Sequence, residues 1–391
     1  MLPLFLLFIA ADIHTDFEGG SLGNIQKIGE THFRLAVKGE SDQDNRNRQA
    51  NWYSFRVDHA TPGRELTLDI VNLPGEYNYR PNRGAITKDT PPVISFDNVK
   101  WTHVTTFEYD PSEPKLRLHI TPASARFWVA HVPPYTNENL AKLRSEIRGH
   151  KNFREEVIGK TLGGRDLLLW TIGPDHPAAN SLVVWLFFRQ HSWETGSSWA
   201  GEGAIRQLLR DDGGITWKIY PMCDPDGVAR GGVRFNANGY DLNRNWDVVD
   251  PVKMPEITAQ RKAIKAWLDG GHRIDFLLSL HNTETAEYLE GPPENGGKFK
   301  QLGERVFNIL KEDTSFAPTR TLSFAESTTT AGKPGRMNVS QGLYRDFGLP
   351  GFIMEQRISM NPKLGHLPEI EDRLRFGSEL VKAIGKALQT Q

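Results

Sequence analysis

Short runs of alternating or β-branched residues fill the chain from residue 14 to about residue 133. Pro, Gly, Asn and Asp separate these runs, as turn residues separate strands. Many short strands with turns between them are typical of a β-sandwich, whose two sheets share one core. We therefore predict an antiparallel β-sandwich domain over residues 14–133, with strands that include residues 31–37, 52–57, 65–71 and 115–120.

The pattern changes after Pro133 and Pro134. Thr136 has the character of a helix N-cap, and apolar residues follow it at helical spacing. From about residue 181 apolar strand-like runs alternate with amphipathic segments, which predicts an α/β domain over residues 134–391: a mixed sheet with helices on both faces. The predicted strands are 181–189, 215–222, 274–280 and 351–354, and the predicted helices are 197–210, 255–268, 298–312 and 368–389.

Composition removes several function classes. The 391 residues have a formal net charge of −1, so the chain has no global basic field that would favour nucleic acid as a partner. Cys223 is the single cysteine, which excludes a disulfide within the chain and a structural zinc site built on cysteines. We interpret this thiol as a small apolar core residue.

Residues 1–11 are almost wholly apolar but too few to span a bilayer. Their length and the small residues at their end fit the apolar part of a secretory signal, although no Lys or Arg precedes them. We interpret residues 1–13 as a signal-like segment and the protein as secreted or periplasmic. The alternative is a mis-set start codon or an unusual terminal strand in a cytoplasmic protein.

His191 and Glu194 follow directly after the predicted strand 181–189. An HxxE spacing at the end of a buried strand places an imidazole beside a carboxylate, and these are two of the three protein ligands of an open catalytic zinc site. His281 has the same setting after strand 274–280 and could supply the third. In such sheets ligands bind beyond the carboxyl ends of the strands. The pattern predicts one zinc ion per chain, with a position left open for a water whose pKa the metal lowers.

Glu355 follows the apolar predicted strand 351–354. A carboxylate at that place is costly unless it faces a polar cleft. A hydrolase needs a general base beside the metal, and Glu355 is the candidate. The alternative is a glutamate that simply emerges at the edge of the sheet.

The loop 224–246 is rich in Gly and Asn and carries Arg230, Arg234 and Arg244. Guanidinium groups bind carboxylates with two parallel hydrogen bonds. An Asn–Arg pair in this loop could therefore hold the terminal carboxylate of a substrate. A further arginine near the metal could stabilise an oxyanion.

Together these segments resemble the zinc metallocarboxypeptidases, specifically the branch related to the cytosolic carboxypeptidases. That family carries an HxxE pair, a Pro-Asp-Gly loop running to Asp-Leu-Asn-Arg-x-Trp, a third histidine after a strand, and a late glutamate; this chain has all four in that order. Residues 17–24 and 132–136 also resemble the start of the branch's N-terminal β-domain and its link to the catalytic domain.

The resemblance implies removal of one C-terminal amino acid from a peptide or protein. It implies zinc ligation by His191, Glu194 and His281, α-carboxylate binding by Asn243 and Arg244, polarisation of the scissile carbonyl by Arg234, and proton transfer from water to the leaving amine by Glu355. No membrane span and no nucleic-acid partner are expected.

Three points stay open. Many carboxypeptidases place a mobile tyrosine over the substrate about twenty residues before the base, and no clear counterpart is present. Arg345 and Arg357 could favour an acidic C-terminal residue, or they could be two solvated arginines. Two other functions compete with peptide hydrolysis: a related zinc amidohydrolase acting on acylated amino acids or cell-wall peptides, and a non-catalytic peptide- or glycan-binding module.

Overall fold

The computed structural model describes residues 11–77, 80–174, 181–293, 297, 299–325 and 335–390. The strands before residue 133 are β1 (Asp12–His14), β2 (Ile25–Lys27), β3 (His32–Ala36), β4 (Ser54–Asp58), β5 (Leu66–Val71), β6 (Gly75–Tyr77), β7 (Arg80–Asn82), β8 (Val93–Ser95), β9 (Thr102–His103), β10 (Phe107–Asp110), β11 (Lys115–Ile120) and β12 (Phe127–Ala130).

The later elements are α1 (Asn137–Ile147), β13 (Phe153–Lys160), β14 (Asp166–Ile172), β15 (Val183–Phe188), α2 (Thr195–Arg210), β16 (Thr216–Tyr220), α3 (Pro225–Ala229), α4 (Pro255–Asp269), β17 (Phe276–Thr283), β18 (Tyr288–Gly291), α5 (Lys300–Asp313), β19 (Ser323–Phe324), α6 (Val339–Phe347), β20 (Gly351–Arg357) and α7 (Ile370–Gln389).

Two five-stranded sheets enclose the N-terminal core, in the orders β1-β4-β12-β8-β9 and β10-β11-β5-β3-β2. Inward-facing side chains such as Phe55, Leu68 and Phe127 are completely buried between them. The predicted sandwich is confirmed, and all its strand pairs are antiparallel except β3 with β5. Strand β1 begins at Asp12, two residues before the predicted start of this region, and β6 and β7 form a separate hairpin.

The second half is built on an eight-stranded mixed sheet in the order β13-β14-β16-β15-β17-β20-β18-β19. Strands β16, β15, β17 and β20 run parallel and form its centre. Alternate residues of β15 enter two different cores: Leu186 packs with residues of α2 and α7, whereas Trp185 packs with residues of α4 and α6. Because both faces of the sheet are covered by helices, the predicted α/β/α arrangement is confirmed.

Helix α1 begins where the sequence indicated. The side chain of its N-cap, Thr136, accepts a hydrogen bond from the backbone N–H of Asn139, and the Asn139 side chain reciprocates. Leu140, Leu143 and Ile147 form the buried face. The capping box and the buried apolar face together define where this helix begins after the N-terminal region.

Two central strands are longer than predicted. Strand β17 continues through His281 to Thr283, and β20 continues through Glu355 to Arg357, because the ladder between them persists to the end of both. The two functional candidates therefore sit inside paired strands rather than after them. Helix α6 was not predicted from the sequence. Its Gly342 packs so closely on Trp246 that a Cβ atom would lie 2.5 Å from the tryptophan side chain.

The N-terminal sheets pack directly on the loop 224–246. The backbone N–H of Gly19 donates to the carbonyl of Ala229, and the Trp52 indole donates to the carbonyl of Gly19. Gly231, at φ +65°, lies against the backbone of Gly20, where a Cβ atom would come within 2.5 Å of the carbonyl oxygen. The positive φ and the close approach to Gly20 each require glycine at residue 231.

Candidate active site

The three predicted metal ligands converge at the carboxyl ends of neighbouring parallel strands. Strand β15 pairs with β17 up to Phe188 and Leu280, so the residues that follow meet at one edge of the sheet. Glu194 is the residue that precedes helix α2. One ligand atom from each of His191, Glu194 and His281 can be chosen so that all lie within 4.8 Å of one another, and all three residues are buried.

The Glu194 carboxylate lies between the two imidazoles. Its Oε1 is 2.6 Å from His191 Nδ1, and its Oε2 is 2.8 Å from His281 Nδ1. Burial opposes ionisation of Glu194, but the two imidazoles outweigh it and lower its pKa to about 2. An anionic oxygen and two Nδ1 atoms thus face one point, which is the donor chemistry that Zn²⁺ takes in catalytic sites.

The far nitrogen of each imidazole has its own polar neighbours. His191 Nε2 lies 3.0 Å from Asp241 Oδ1, and His281 Nε2 lies 2.9 Å from Ser279 Oγ and 3.1 Å from Gln190 Oε1. A proton held at Nε2 leaves the Nδ1 lone pair free for a metal. The donor set therefore fits zinc in type, and at His191 the Asp241 carboxylate favours the matching tautomer.

Asp241 was not singled out from the sequence, although it stands in the same loop as the arginines. Its Oδ1 contacts His191, and its Oδ2 accepts from Arg234 Nε at 2.7 Å. Burial raises the pKa of Asp241, but Arg234 and His191 outweigh it and hold that pKa well below its usual value. The signal that could have found it is the need of a metal-bound histidine for a carboxylate behind it.

Two of the three loop arginines line the cleft beside the cluster, namely Arg234 and Arg244. Arg230 instead pairs with Glu40 and donates to the carbonyl of Phe235. The Asn–Arg pair lies on the cleft as a unit, because Arg244 Nη1 donates to the Asn243 carbonyl at 2.7 Å.

Asn243 is held from two sides. Its side-chain Oδ1 accepts from the backbone N–H of Val339 at 3.0 Å, at the start of helix α6. Its Nδ2 lies 3.2 Å from His281 Nε2, which joins the loop to the metal cluster. The unpredicted helix α6 therefore positions a predicted substrate residue.

Glu355 of strand β20 lies directly opposite His281 of strand β17, because the two residues are partners in the parallel ladder between these strands. Its Oε2 is buried and has no hydrogen-bond partner among the described residues. Burial, followed by the Glu194 carboxylate, raises its pKa well above the usual value. A dication in the cluster would oppose that shift, because nearby positive charge favours the carboxylate form.

The cleft that joins these groups has a volume of about 250 Å³. Its walls come from both halves of the chain, since Gln49, Asn51, Tyr77 and Asn82 of the N-terminal region line it as well. The sequence had not indicated that these residues reach the site, because no local pattern places a hairpin residue over a cleft nearly 160 residues further along the chain.

The two arginines considered for substrate preference lie elsewhere. Arg345 is partly exposed and pairs with Asp346, its neighbour in the chain. Arg357 pairs with Glu287 and donates to the Ala317 carbonyl. Neither is among the described residues that line the cleft, and a preference for an acidic C-terminal residue stays a prediction.

Comparison with known proteins agrees with this geometry. Residues 147–312 match the zinc carboxypeptidase family, and residues 13–131 match the cytosolic carboxypeptidase N-terminal domain. The chain belongs to the zinc carboxypeptidase family. It carries the two domains of the cytosolic carboxypeptidase-like branch, and zinc is the cofactor that its His-Glu-His group could hold.

Its relatives include an uncharacterised protein of Zymomonas mobilis, 26% identical over 77% of each chain. Human cytosolic carboxypeptidase 6 is 25% identical to this chain over 69% of the chain's residues. The matched region spans 56% of the human protein. The crystal structure of a metallo-carboxypeptidase from Burkholderia cenocepacia shares the fold, with a TM-score of 0.81, 22% identity, and coverage of 98% of this chain and 100% of that one.

Among the described residues of this carboxypeptidase, no helix is both long and apolar enough to cross a bilayer. The signal-like segment lies almost wholly in residues 1–10, outside the described residues. Several relatives are named cytosolic carboxypeptidases.

Proposed function

We propose that the protein removes single amino acids from the C-termini of peptides or proteins, with the residue roles that follow. The observation that carries this proposal is the shared cleft. Two of the three residues of the cluster suited to zinc, His191 and Glu194, line this cleft of about 250 Å³. Glu355, whose Oε2 has no hydrogen-bond partner among the described residues, lines it as well, together with Asn243 and Arg244. That is the combination that hydrolysis next to a free carboxylate requires.

His191, Glu194 and His281 would hold the metal. When bound, zinc supplies Lewis-acid chemistry, acidifying a water and polarising a carbonyl. Asp241 keeps the His191 imidazole turned so that its Nδ1 points at Glu194. The buried setting keeps bulk water away and strengthens each charge interaction.

The remaining roles fall to groups around the cluster. Arg244, with Asn243, binds the terminal carboxylate and so selects the last peptide bond. Arg234, tied to Asp241, presents its remaining N–H donors to the oxyanion that develops on the scissile carbonyl. Glu355 takes a proton from the attacking water and passes it to the leaving amine.

The test compares a peptide with a free C-terminus and the same peptide as its C-terminal amide, on protein loaded with zinc. We expect turnover of the free acid alone, because the amide offers no carboxylate to Arg244. A chelator should abolish the activity. Equal turnover of both peptides would favour the zinc amidohydrolase alternative, and binding without turnover would favour a non-catalytic module.

Glu355→Gln should lower kcat by roughly 10²–10⁴-fold and leave bound zinc unchanged, the range that a positioned general base contributes. Glu284→Gln is the matched control. Glu284 also lines the cleft, but its carboxylate bonds Asn51 rather than lying unpartnered. Retained activity in Glu355→Gln would remove Glu355 from the role of base.

Two organisational proposals accompany this function. We propose that residues 14–133 and 134–391 are separate domains, supported by the two family matches and the separate N-terminal core.

We also propose export directed by residues 1–13, which rests on their apolar sequence. Cell fractionation with N-terminal sequencing tests export; an uncleaved cytoplasmic protein would contradict it.

A further inference from the structure

Tyr77, at the end of strand β6, reaches both arginines of the cleft. Its hydroxyl oxygen accepts a hydrogen bond from Arg244 Nη2 at 3.2 Å. Its ring lies over the Arg234 guanidinium, 5.6 Å from centroid to Cζ. No described residue accepts the phenolic proton. The phenol thus bridges the two groups proposed to bind substrate, although it comes from the N-terminal β region.

We propose that Tyr77 is a substrate-binding residue, whose hydroxyl donates a hydrogen bond to the C-terminal carboxylate that Arg244 holds. This inference rests on the proposed function of the site. A carboxylate bound at Arg244 must lie beside the hydroxyl, because the two groups are already in contact. A neutral O–H donor and a guanidinium can share one carboxylate without charge repulsion.

The electrostatics agree with a donor role. Arg244, followed by Arg234, lowers the pKa of Tyr77. Positive charge around a phenol makes its proton a stronger hydrogen-bond donor to an anion.

The hairpin that carries Tyr77 is fixed to its neighbours. The Glu76 N–H donates to the Arg48 carbonyl at 2.6 Å, and the Gln49 side chain donates to the Glu76 carbonyl at 2.7 Å. A Cβ atom on Gly75 would lie 2.8 Å from the Arg48 carbonyl oxygen, so the strand is packed against that segment. The β region therefore presents Tyr77 before substrate arrives, which limits the entropy lost on binding.

The experiment measures steady-state kinetics of zinc-loaded wild type, Tyr77→Phe and Tyr77→Ala on a free-acid peptide. Tyr77→Phe keeps the ring over Arg234 and should raise KM by about tenfold with kcat nearly unchanged, as expected for loss of one hydrogen bond to a charged group. Tyr77→Ala should raise KM further. Tyr109→Phe, a tyrosine at the N-terminal core away from the cleft, is the matched control and should match wild type.

A calorimetric arm separates this inference from the proposed function. In a Glu355→Gln background, Tyr77→Phe should weaken binding of the free-acid peptide about tenfold and leave the weak binding of its amide unchanged. Wild-type KM and affinity in Tyr77→Phe, or equal losses for acid and amide, would overturn the role of Tyr77. If wild type neither cleaves nor binds any peptide, the proposed function itself fails.

A different contact of the N-terminal region supports a second inference. One carboxylate oxygen of Glu40 accepts three consecutive backbone N–H groups, from Val233, Arg234 and Phe235, at 2.9, 2.6 and 2.8 Å. Its other oxygen pairs with Arg230. We infer that Glu40 is a positioning residue, which sets the backbone from which the Arg234 side chain reaches the cleft. This role also rests on the proposed function of Arg234.

Glu40→Ala should lower kcat by about 10–100-fold with zinc content and KM little changed, because a misplaced Arg234 loses transition-state contacts first. Glu40→Gln keeps a carbonyl oxygen for the three N–H groups and should recover most of kcat. Glu113→Ala, an exposed glutamate of the same region, is the control. Wild-type kcat in Glu40→Ala, or no recovery in Glu40→Gln, would overturn the inference.

Discussion

The metal cluster and the arginine pair share one cleft but are held in place differently. His191, Glu194 and His281 are placed by the ends of adjacent parallel strands and the start of α2. Arg234 and Arg244 sit on a loop that is contacted by distant residues, which include Glu40 and Tyr77 of the N-terminal β region. The difference suggests that the catalytic half alone can organise the metal, whereas substrate recognition requires both halves.

Asp241 is the bridge between the two groups. It contacts a metal-binding imidazole with one oxygen and a guanidinium with the other. A change at this carboxylate should therefore affect both groups. Four variants break or sharpen the comparison.

Replacing His281 by Ala should have the largest effect. It removes a buried ligand from the parallel strands, so we expect loss of bound zinc and of detectable peptide hydrolysis. Metal analysis by mass spectrometry and the free-acid assay measure both. One zinc per chain in His281→Ala would show that the ion is held elsewhere. Lys386→Ala, at an exposed ion pair with Asp313 away from the cleft, is a suitable control.

Asp241→Asn should affect both groups at once. The amide oxygen can still face His191, but the charge that supports the imidazole and Arg234 is lost. We expect zinc affinity to fall about 10–100-fold, the usual cost of losing such a supporting carboxylate, and kcat/KM to fall even at saturating zinc. Chelator competition measures the first effect and kinetics the second.

Asp250→Asn is the control a few residues beyond that loop. Asp250 accepts the backbone N–H groups of Val252 and Lys253 and pairs with the Lys253 ammonium, away from the cleft. If Asp241→Asn kept wild-type zinc affinity while losing activity, the two groups would be independent and Asp241 would not be the bridge.

The pH dependence of stability at His131 tests how tightly the two halves pack against each other. It is buried between Tyr53 of the β region and Trp193 of the HxxE segment, with ring centroids 5.6 and 6.1 Å away. Burial lowers its pKa from the usual 6.5 to about 3. The unfolded chain therefore binds a proton that the folded chain refuses, and stability present above pH 6.5 is lost as the pH falls.

When the pH falls from 7 to 5, this histidine should lower the free energy of unfolding of the wild type by about 2 kcal/mol. The loss is about 1.4 kcal/mol for each pH unit below 6.5. His131→Leu should lack that part of the pH dependence. Urea unfolding of both proteins, loaded with zinc at each pH, gives the difference. Parallel pH profiles would mean that His131 is not held neutral.

Arg345→Ala should have the smallest effect. The side chain pairs with Asp346 away from the cleft, so rates for matched peptides ending in Glu, Phe and Lys should keep their wild-type ratios within about twofold, the scale of a surface substitution. Selective loss of the Glu-terminated peptide would place Arg345 in substrate recognition after all.

The difference between residues placed by strand ends and residues placed by distant contacts also explains which features the sequence could predict. His191, Glu194, His281 and Glu355 follow or end apolar runs, and parallel strands bring such positions to one edge by rule. Thr136 and the apolar face of α1 were equally local. Helix α6 is short, but its capping residues Asn338 and Gln341 and the Gly348 that ends it are local signals, so the sequence could have predicted it.

Tyr77, Glu40 and Asp241 could not be assigned in the same way. Their roles come from contacts with residues far along the chain or from a hydrogen bond behind a ligand, and neither leaves a periodic pattern. The role of Arg345 was open for the same reason, because its spacing from Glu355 does not tell which residues of helix α6 face the cleft.

The most direct test of the central claim is anomalous diffraction at the zinc absorption edge from crystals of the zinc-loaded protein. We expect one anomalous peak per chain, within about 2.0–2.2 Å of His191 Nδ1, His281 Nδ1 and a Glu194 oxygen. A peak at any other position, or none at this cluster in active protein, would contradict the account.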